Sequence, residues 1–475
     1  MSATSFLDRH WHGPGGMNMV LRLAFPMVVS STADSLMMFT SRAFLARLGP
    51  APLAAALMAG MLAFTTMTFF FGLVSYTNAV VAQHLGAGQK GRCAVATAQG
   101  LFVAVASFPL ILATIPLGHW LFAACGHTPV QQMLERQYFD IVIFGAVFGL
   151  LRAGFSSFFA GIGRTRIVMV AAVVAMLVNI AACYVLIFGK LGCPALGMAG
   201  AAAAFVIGSA VGCAVLAWAY FGARCREEFH TTAGLRFDPA MLRLLLRYGT
   251  PSGLEFFLNM AAFSTFMMLM QSYGPTVAAA VTITFNWDLM AFIPMIGVNI
   301  ATMSLVGRFL GAGDPATAER AAYAGLKAAY AYAGTLTVLF LVVPGALVAV
   351  FAGDAGNVSY AEVRPLAVAM LRLAAIYTLA DATFLVCGGA LRGAGDTRWA
   401  MRASVALNWL MALVTLLLVR VLHVTPLHTW AVFVGLVLVM GLLFLWRFRQ
   451  GRWKELRMIT PADEAEPAAT PAGGG

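Results

Sequence analysis

Charge is what this sequence has least of: only 10% of its 475 residues are Asp, Glu, Lys or Arg, where soluble domains carry roughly 25%. So few ionic groups cannot cover a water-facing surface, which excludes a soluble globular chain. Cysteine is scarce too. The seven (Cys93, Cys125, Cys183, Cys193, Cys213, Cys225 and Cys387) show no CxxC or Cys/His spacing, so neither a thiolate metal centre nor a disulfide framework is expected. Only Cys125 and Cys193, both expected in external loops, could pair. No GxxxxGK[ST] run offers an ATP cradle, and no TVGYG run offers an ion filter. The opening MSATSFLDRHWHGPGG lacks the basic start, short apolar core and cleavage site of a signal peptide, so no removal is expected.

What the sequence has instead is apolar length. It is 61% hydrophobic, with a mean hydropathy of +0.85. A membrane span needs about 20 apolar residues, and about twelve such runs can be marked out. Backbone groups have no water to bond in lipid, so spans are helices or closed barrels, and barrel strands would be short and alternating. The reading is an all-α integral membrane protein of twelve helices. A net charge of +11 raises nucleic acid as a partner, but the basic residues are sorted by face. With both termini in the cytoplasm, only Arg42, Arg47, Arg136, Lys190, Arg364 and Arg420 fall in external segments. That is the positive-inside pattern; the expected partner is the bilayer, not nucleic acid.

A shift of 225 residues lays VAQHLGAGQ (81–89) over VGRFLGAGD (306–314), Gly49-Pro50 over Gly274-Pro275, and Pro26 over Pro251. GIGRTR (161–166) echoes GAGDTR (393–398) at a slightly larger shift. The chain therefore reads as a duplicated six-helix unit, giving two bundles related by a pseudo-twofold axis along the membrane normal. The divisions are a cytoplasmic segment at 1–17, a first lobe at 18–222, a cytoplasmic linker at 223–249, a second lobe at 250–448 and a tail at 449–475 whose end is expected to be disordered. Asp238-Pro239 in the linker reads as a helix N-cap followed by a first-turn proline, opening a short interfacial helix. The two LGAG turns invite a phosphate-cradle reading, but a lone Gly-x-Gly is weak, and tight turns explain them better.

A carboxylate near a helix centre costs about 2.5–3.5 kcal/mol on insertion scales, which makes each intramembrane acid a candidate functional group. Asp34 follows Pro26 in the first run and Glu255 follows Pro251 in the seventh. Asp381 lies one turn from Tyr377, and Glu255 one turn from Asn259, so each pair shares a helix face. Asp288, in FNWDLMAF near the external end of its run, could instead snorkel to the interface. The bland alternative for the others is a hydrogen-bonded structural acid, or for Asp381 a pair with Arg372. Arg152 is expected against Asp140 or Glu135, or nearer an interface. The methionines around Met267, Met268 and Met270 would suit an adaptable pocket or plain packing.

Taken in order, AFPMVVSSTADSLMM, the paired LGAG turns, GIGRTR with VNIAACYVLIFG and GCPALGMAGAAAA, and RGAGDTR with LNW resemble the multidrug and toxic compound extrusion (MATE) family, closest to its NorM-type branch. The resemblance covers about residues 15–450. It implies a secondary active antiporter in which two lobes around a central cleft alternate access and export cationic, amphipathic drugs in exchange for Na⁺ or H⁺. No other cofactor and no enzymatic activity are implied. Asp34 matches the family's first-helix aspartate, and Glu255 with Asp381 its second-lobe acidic pair, where Na⁺ could sit, with Tyr377 beside it. Asn179 matches a first-lobe cation ligand, but Cys183 and Phe205 stand where an aspartate and a threonine are expected. A monomer in a bacterial inner membrane is the expectation. The rival reading is a lipid-linked precursor flippase of related architecture, which should line its cleft with cationic side chains.

Overall fold

The chain, seen in a computed structural model that describes residues 11–351, 360–456, 458 and 459, is all-helical among those residues. The end of the expected disordered tail lies outside them. The first lobe contains α1 (Met17–Ala46), α2 (Pro50–Ser75), α3 (Thr77–Gly86), α4 (Lys90–Leu112), α5 (Ile115–Ala124), α6 (Pro129–Phe144), α7 (Ala146–Gly161), α8 (Thr165–Phe188) and α9 (Gly197–Phe221). After the short α10 (Ala223–Phe229), the second lobe contains α11 (Pro239–Gln271), α12 (Pro275–Gly311), α13 (Pro315–Val342), α14 (Pro344–Ala349), α15 (Tyr360–Ala394), α16 (Thr397–Arg420) and α17 (Pro426–Arg449). Among the described residues eleven spans are long and apolar enough to cross a membrane, α2 and α3 acting as one. A twelfth forms from α6 and α7, which bend by 42° at Gly145. The result is a multi-pass protein of two six-helix bundles related by a pseudo-twofold axis.

The repeated motifs become repeated local structure. Gly49 and Gly274 take φ of 121° and 120° as N-caps, each handing over to a proline at the first helical position, where the missing N–H costs nothing. In the LGAG turns, Gly88 and Gly313 both sit at φ 74°, a left-handed conformation that favours glycine. The linker ends earlier than expected. Asp238 does cap a helix, its Oδ1 accepting the N–H groups of Ala240 and Met241 at 3.0 Å, but that helix runs unbroken through Pro251 to Gln271. Residues 239–249 are therefore the first three turns of a span, not a separate interfacial helix. All seven cysteines are unpaired, Cys125 and Cys193 included.

The lobes meet along two seams, α2 and α3 against α11 and α12, and α1 against α12. Glycine lets the backbones approach. A Cβ on Gly86 would overlap the carbonyl of Arg308, and one on Gly311 that of Gln83. Farther along the seams, a Cβ on Gly72 would come within 2.7 Å of Gly253 Cα, and one on Gly297 within 2.7 Å of Val28 N. Across the seam Tyr76 Oη donates to Arg392 O at 2.9 Å, Gln83 Nε2 to Gly393 O at 2.9 Å and Ser304 Oγ to Ala160 O at 2.8 Å. These bonds gather toward the face carrying the LGAG turns, where the lobes are closed against each other.

Candidate functional site

In the first lobe, α1 carries Asp34 and the bent α6–α7 pair brings Arg152 to it: Arg152 Nη2 donates to Asp34 Oδ1 at 2.7 Å. The expected partners of Arg152 are taken, Asp140 by His119 at 2.8 Å and Glu135 by His127 at 2.9 Å. The Asp34–Arg152 pair lines a cavity of about 220 Å³ together with Ser30, Ser31, Asn78 and Ser157, closed from the second lobe by Ile300 and Met303. Asn78 is buried with neither amide atom bonded, and Arg152 Nη1 is likewise without a partner.

Asn179 is not part of that pair. Its Oδ1 accepts from Ser41 Oγ at 3.4 Å, Ser41 also lies 3.3 Å from Cys183 Sγ, and Asn179 Nδ2 is unbonded. Asn179 and Cys183 are fully buried in a small, uncharged network. Phe205 is partly buried against the apolar cluster of α2, α6 and α7. Asp34 and Asn179 thus belong to separate networks, Asp34 with the Arg152 guanidinium and Asn179 with Ser41.

In the second lobe the expected partnership of Glu255 with Asp381 is not built. Arg392 grips Glu255 with both nitrogens, Nη2 to Oε1 at 2.6 Å and Nε to Oε2 at 3.2 Å, and Ser404 Oγ donates to Oε1 at 3.0 Å. Asn259 shares the network through Ser404, donating from Nδ2 at 3.0 Å. Three donors thus meet the carboxylate, two on Oε1 and one on Oε2, and its charge is answered by the guanidinium. Arg392 stands three turns, about 16 Å, beyond Asp381 on α15, so the two acids belong to different levels of the lobe.

Asp381 keeps other company. Tyr377 Oη, one turn before Asp381 on the same face of α15, donates to Asp288 Oδ1 of α12 at 3.0 Å. Both carboxylates are half-buried, whereas Tyr377 is fully buried. Asp288 does not snorkel: it sits about 20 Å into the long α12, measured from Pro275. Among the described residues no Lys or Arg pairs with either acid, and Arg372 is exposed without an acid. The methionine cluster divides, Met270 fully buried and Met268 73% exposed. Arg392 and Ser404 were missed from sequence. The only signal was an arginine inside LRGAGDTR, which reads as one more basic residue of the interface.

A family model described as MatE matches residues 26–185 and 251–417, two segments that begin at Pro26 and Pro251, the prolines paired by the internal repeat. A "Probable multidrug resistance protein NorM" of Rhodopseudomonas palustris is 30% identical over 435 residues, covering 90% of this chain and 91% of that protein. The "Multidrug resistance protein NorM" of Aliivibrio fischeri is 26% identical over 404 residues, 83% and 85% of the two chains. Among solved structures, an outward-facing multidrug resistance MATE family transporter of the MOP superfamily superposes with a TM-score of 0.84 at 20% identity, over 93% of this chain and 96% of that one. A MOP superfamily transporter from Pyrococcus furiosus, described by a reversed polarity of its binding pocket, gives 0.84 at 18% identity with the same coverage. At these identities the structures speak for the fold.

Proposed function

The chain belongs to the MatE family, a membrane transporter and not an enzyme, and from there we propose that it is a multidrug efflux protein working as a secondary antiporter. Cationic, amphipathic compounds leave in exchange for Na⁺ or H⁺, and the exchange site is the Asp288–Tyr377–Asp381 cluster. One observation carries this reading: of the four intramembrane acids singled out from sequence, Asp34 and Glu255 each hold an arginine, while among the described residues Asp288 and Asp381 pair with none. Two neighbouring carboxylates carry charge that a proton or Na⁺ neutralises, and a cationic cargo can displace either. Tyr377 fixes the Asp288 oxygen and leaves the remaining lone pairs available.

In the first lobe Arg152 takes the place of a bound cation, so coupling rests on the second lobe alone. The positive-inside imbalance supports a cytoplasmic LGAG face, and on this reading the protein is a monomer of a bacterial inner membrane with both termini inside, its lobes closed on the cytoplasmic side. A lipid-linked precursor flippase fits less well, because the two arginines that meet the acids of α1 and α11, Arg152 and Arg392, are each neutralised. The test is ethidium efflux from proteoliposomes under an imposed Na⁺ or pH gradient. Asp381→Asn and Asp288→Asn should each lower gradient-driven efflux at least about tenfold, the effect of losing about 1.4 kcal/mol, while Arg152→Gln should leave its ion dependence unchanged. Full gradient-driven efflux in both Asn variants would remove the cluster from the mechanism.

A further inference from the structure

Three arginines on the outside of the second lobe have no acid to balance them. Arg243 and Arg247 stand one turn apart on α11, and Arg398 stands in the first turn of α16. With Leu242, Leu246 and Pro251 they line a groove of about 650 Å³. All three arginines are exposed, and among the described residues no carboxylate lies within 4.0 Å of any of them. The acids nearest along the chain are committed elsewhere. Asp238 caps α11, Glu255 is held by Arg392, and Asp396 is bound by Arg447 at 2.8 Å. Arg247 is braced over the Tyr248 ring, 5.6 Å from its centroid.

The stripe changes character along the helix. Spacings of three and four residues keep Arg243, Leu246, Arg247, Thr250 and Leu254 on one face, with Leu246 38% and Leu254 37% exposed. At 33 residues, α11 is about 50 Å long against about 30 Å of hydrocarbon. Its first turns, with the arginines and Leu246, stand at headgroup depth, and Leu254, seven residues or about 10 Å beyond Arg247, stands at acyl-chain depth. We propose that this groove is a binding site for an anionic phospholipid of the surrounding bilayer, with the phosphate among Arg243, Arg247 and Arg398 and one acyl chain along Leu254. The adjoining face of α11 is the lobe seam, where Gly249 packs on Leu73 and Gly253 on Phe69. A lipid in the groove braces the helix on which that seam is built.

The test is to titrate the purified full-length protein with phosphatidylglycerol or phosphatidylcholine in mixed micelles and to count bound lipid by native mass spectrometry. Each basic residue at a membrane surface favours an anionic lipid by about fivefold, so phosphatidylglycerol should bind about a hundredfold more tightly than phosphatidylcholine. Arg243→Gln, Arg247→Gln and Arg398→Gln should each remove about fivefold of that preference, and the triple Lys variant should keep most of it. Equal binding of the two lipids, or an undiminished preference in the Gln variants, overturns the site. Complete displacement of the lipid by soluble glycerol phosphate overturns the assignment to lipid. If the triple Gln variant does not fold, the single variants decide by the same factor.

Discussion

Arg392 stabilises Glu255 by geometry as well as charge: two of its nitrogens meet the two carboxylate oxygens, the fork arrangement that suits a guanidinium. With side chains only 15% and 3% exposed, removing one partner strands the other as a buried charge, which costs about 3–5 kcal/mol, whereas removing both is far milder. Arg392→Gln should therefore lower the melting temperature of the detergent-solubilised protein sharply, and Arg392→Gln with Glu255→Gln should recover most of the loss. Additive losses in that cycle would mean the two residues act independently. Asp34 with Arg152 is the same device in a wetter place, its side chains 39% and 21% exposed, and Asp34→Asn should cost less. Asp34, Glu255, Asp381 and Tyr377 were legible in the sequence because an acid in an apolar run is rare and helix spacing places its neighbours. Their partners were not. Arg152 is 118 residues from Asp34, and Arg392 is 137 from Glu255, and nothing local distinguishes an arginine that turns inward from one that faces the headgroups.

Among the elements, α13 shows how a helix start is written in sequence. Asp314 follows the LGAG turn, Pro315 takes the first helical position, and Asp314 Oδ1 accepts the Thr317 N–H at 2.9 Å. Hydrogen bonds from the Thr317 side chain and backbone hold the Asp314 carboxyl below its usual 3.8. The folded value lies below the unfolded one, so the stabilisation is present above about pH 4 and is lost as pH falls through the folded value. Asp314→Ala should cost about 1 kcal/mol at neutral pH. Asp314→Asn should cap nearly as well and lose less stability between pH 5 and pH 3 than the parent, read from melting temperature against pH. Identical acid profiles for parent and Asn variant would show that this cap does not titrate in that range. A start of this kind was legible at Asp238, where it was read from the sequence. What escaped was continuity: a proline alone does not say whether a helix ends or, as at Pro251, carries on, and Gly145 breaks a run that hydropathy alone draws as one.

Across the whole molecule the two halves share a frame but are furnished differently. Each lobe's first helix offers an acid to an arginine from the helix preceding its second glycine-rich turn, α7 in one case and α15 in the other. In the repeat frame Asp34 overlies Asn259 and not Glu255, so the first-lobe pair is one turn farther from the LGAG face, and Asp288 and Asp381 fall opposite Ala63 and Gly149. The duplication was legible from the LGAG and Gly-Pro pairs. That the turns seal the lobes was not, because it depends on contacts between residues more than 200 positions apart. The glycines of one turn do two separable jobs. Gly86 is small so that the backbone of α12 can approach, whereas Gly88 needs only its left-handed φ, with nothing within 4 Å of a Cβ placed there. A methyl at Gly86 must push the lobes apart at a cost of about 1–3 kcal/mol, enough to shift the balance between closed and open arrangements about tenfold or more. A methyl at Gly88 strains one turn by about 1 kcal/mol and leaves the seam alone. Spin labels at Arg92 and Ala316, exposed positions on the two lobes at that face, measure the difference by pulsed electron resonance. Gly86→Ala should lengthen the inter-label distance and slow efflux, while Gly88→Ala should lower the melting temperature with the distance unchanged. If Gly86→Ala leaves the distance where it was, the LGAG crossing is not what holds the lobes closed.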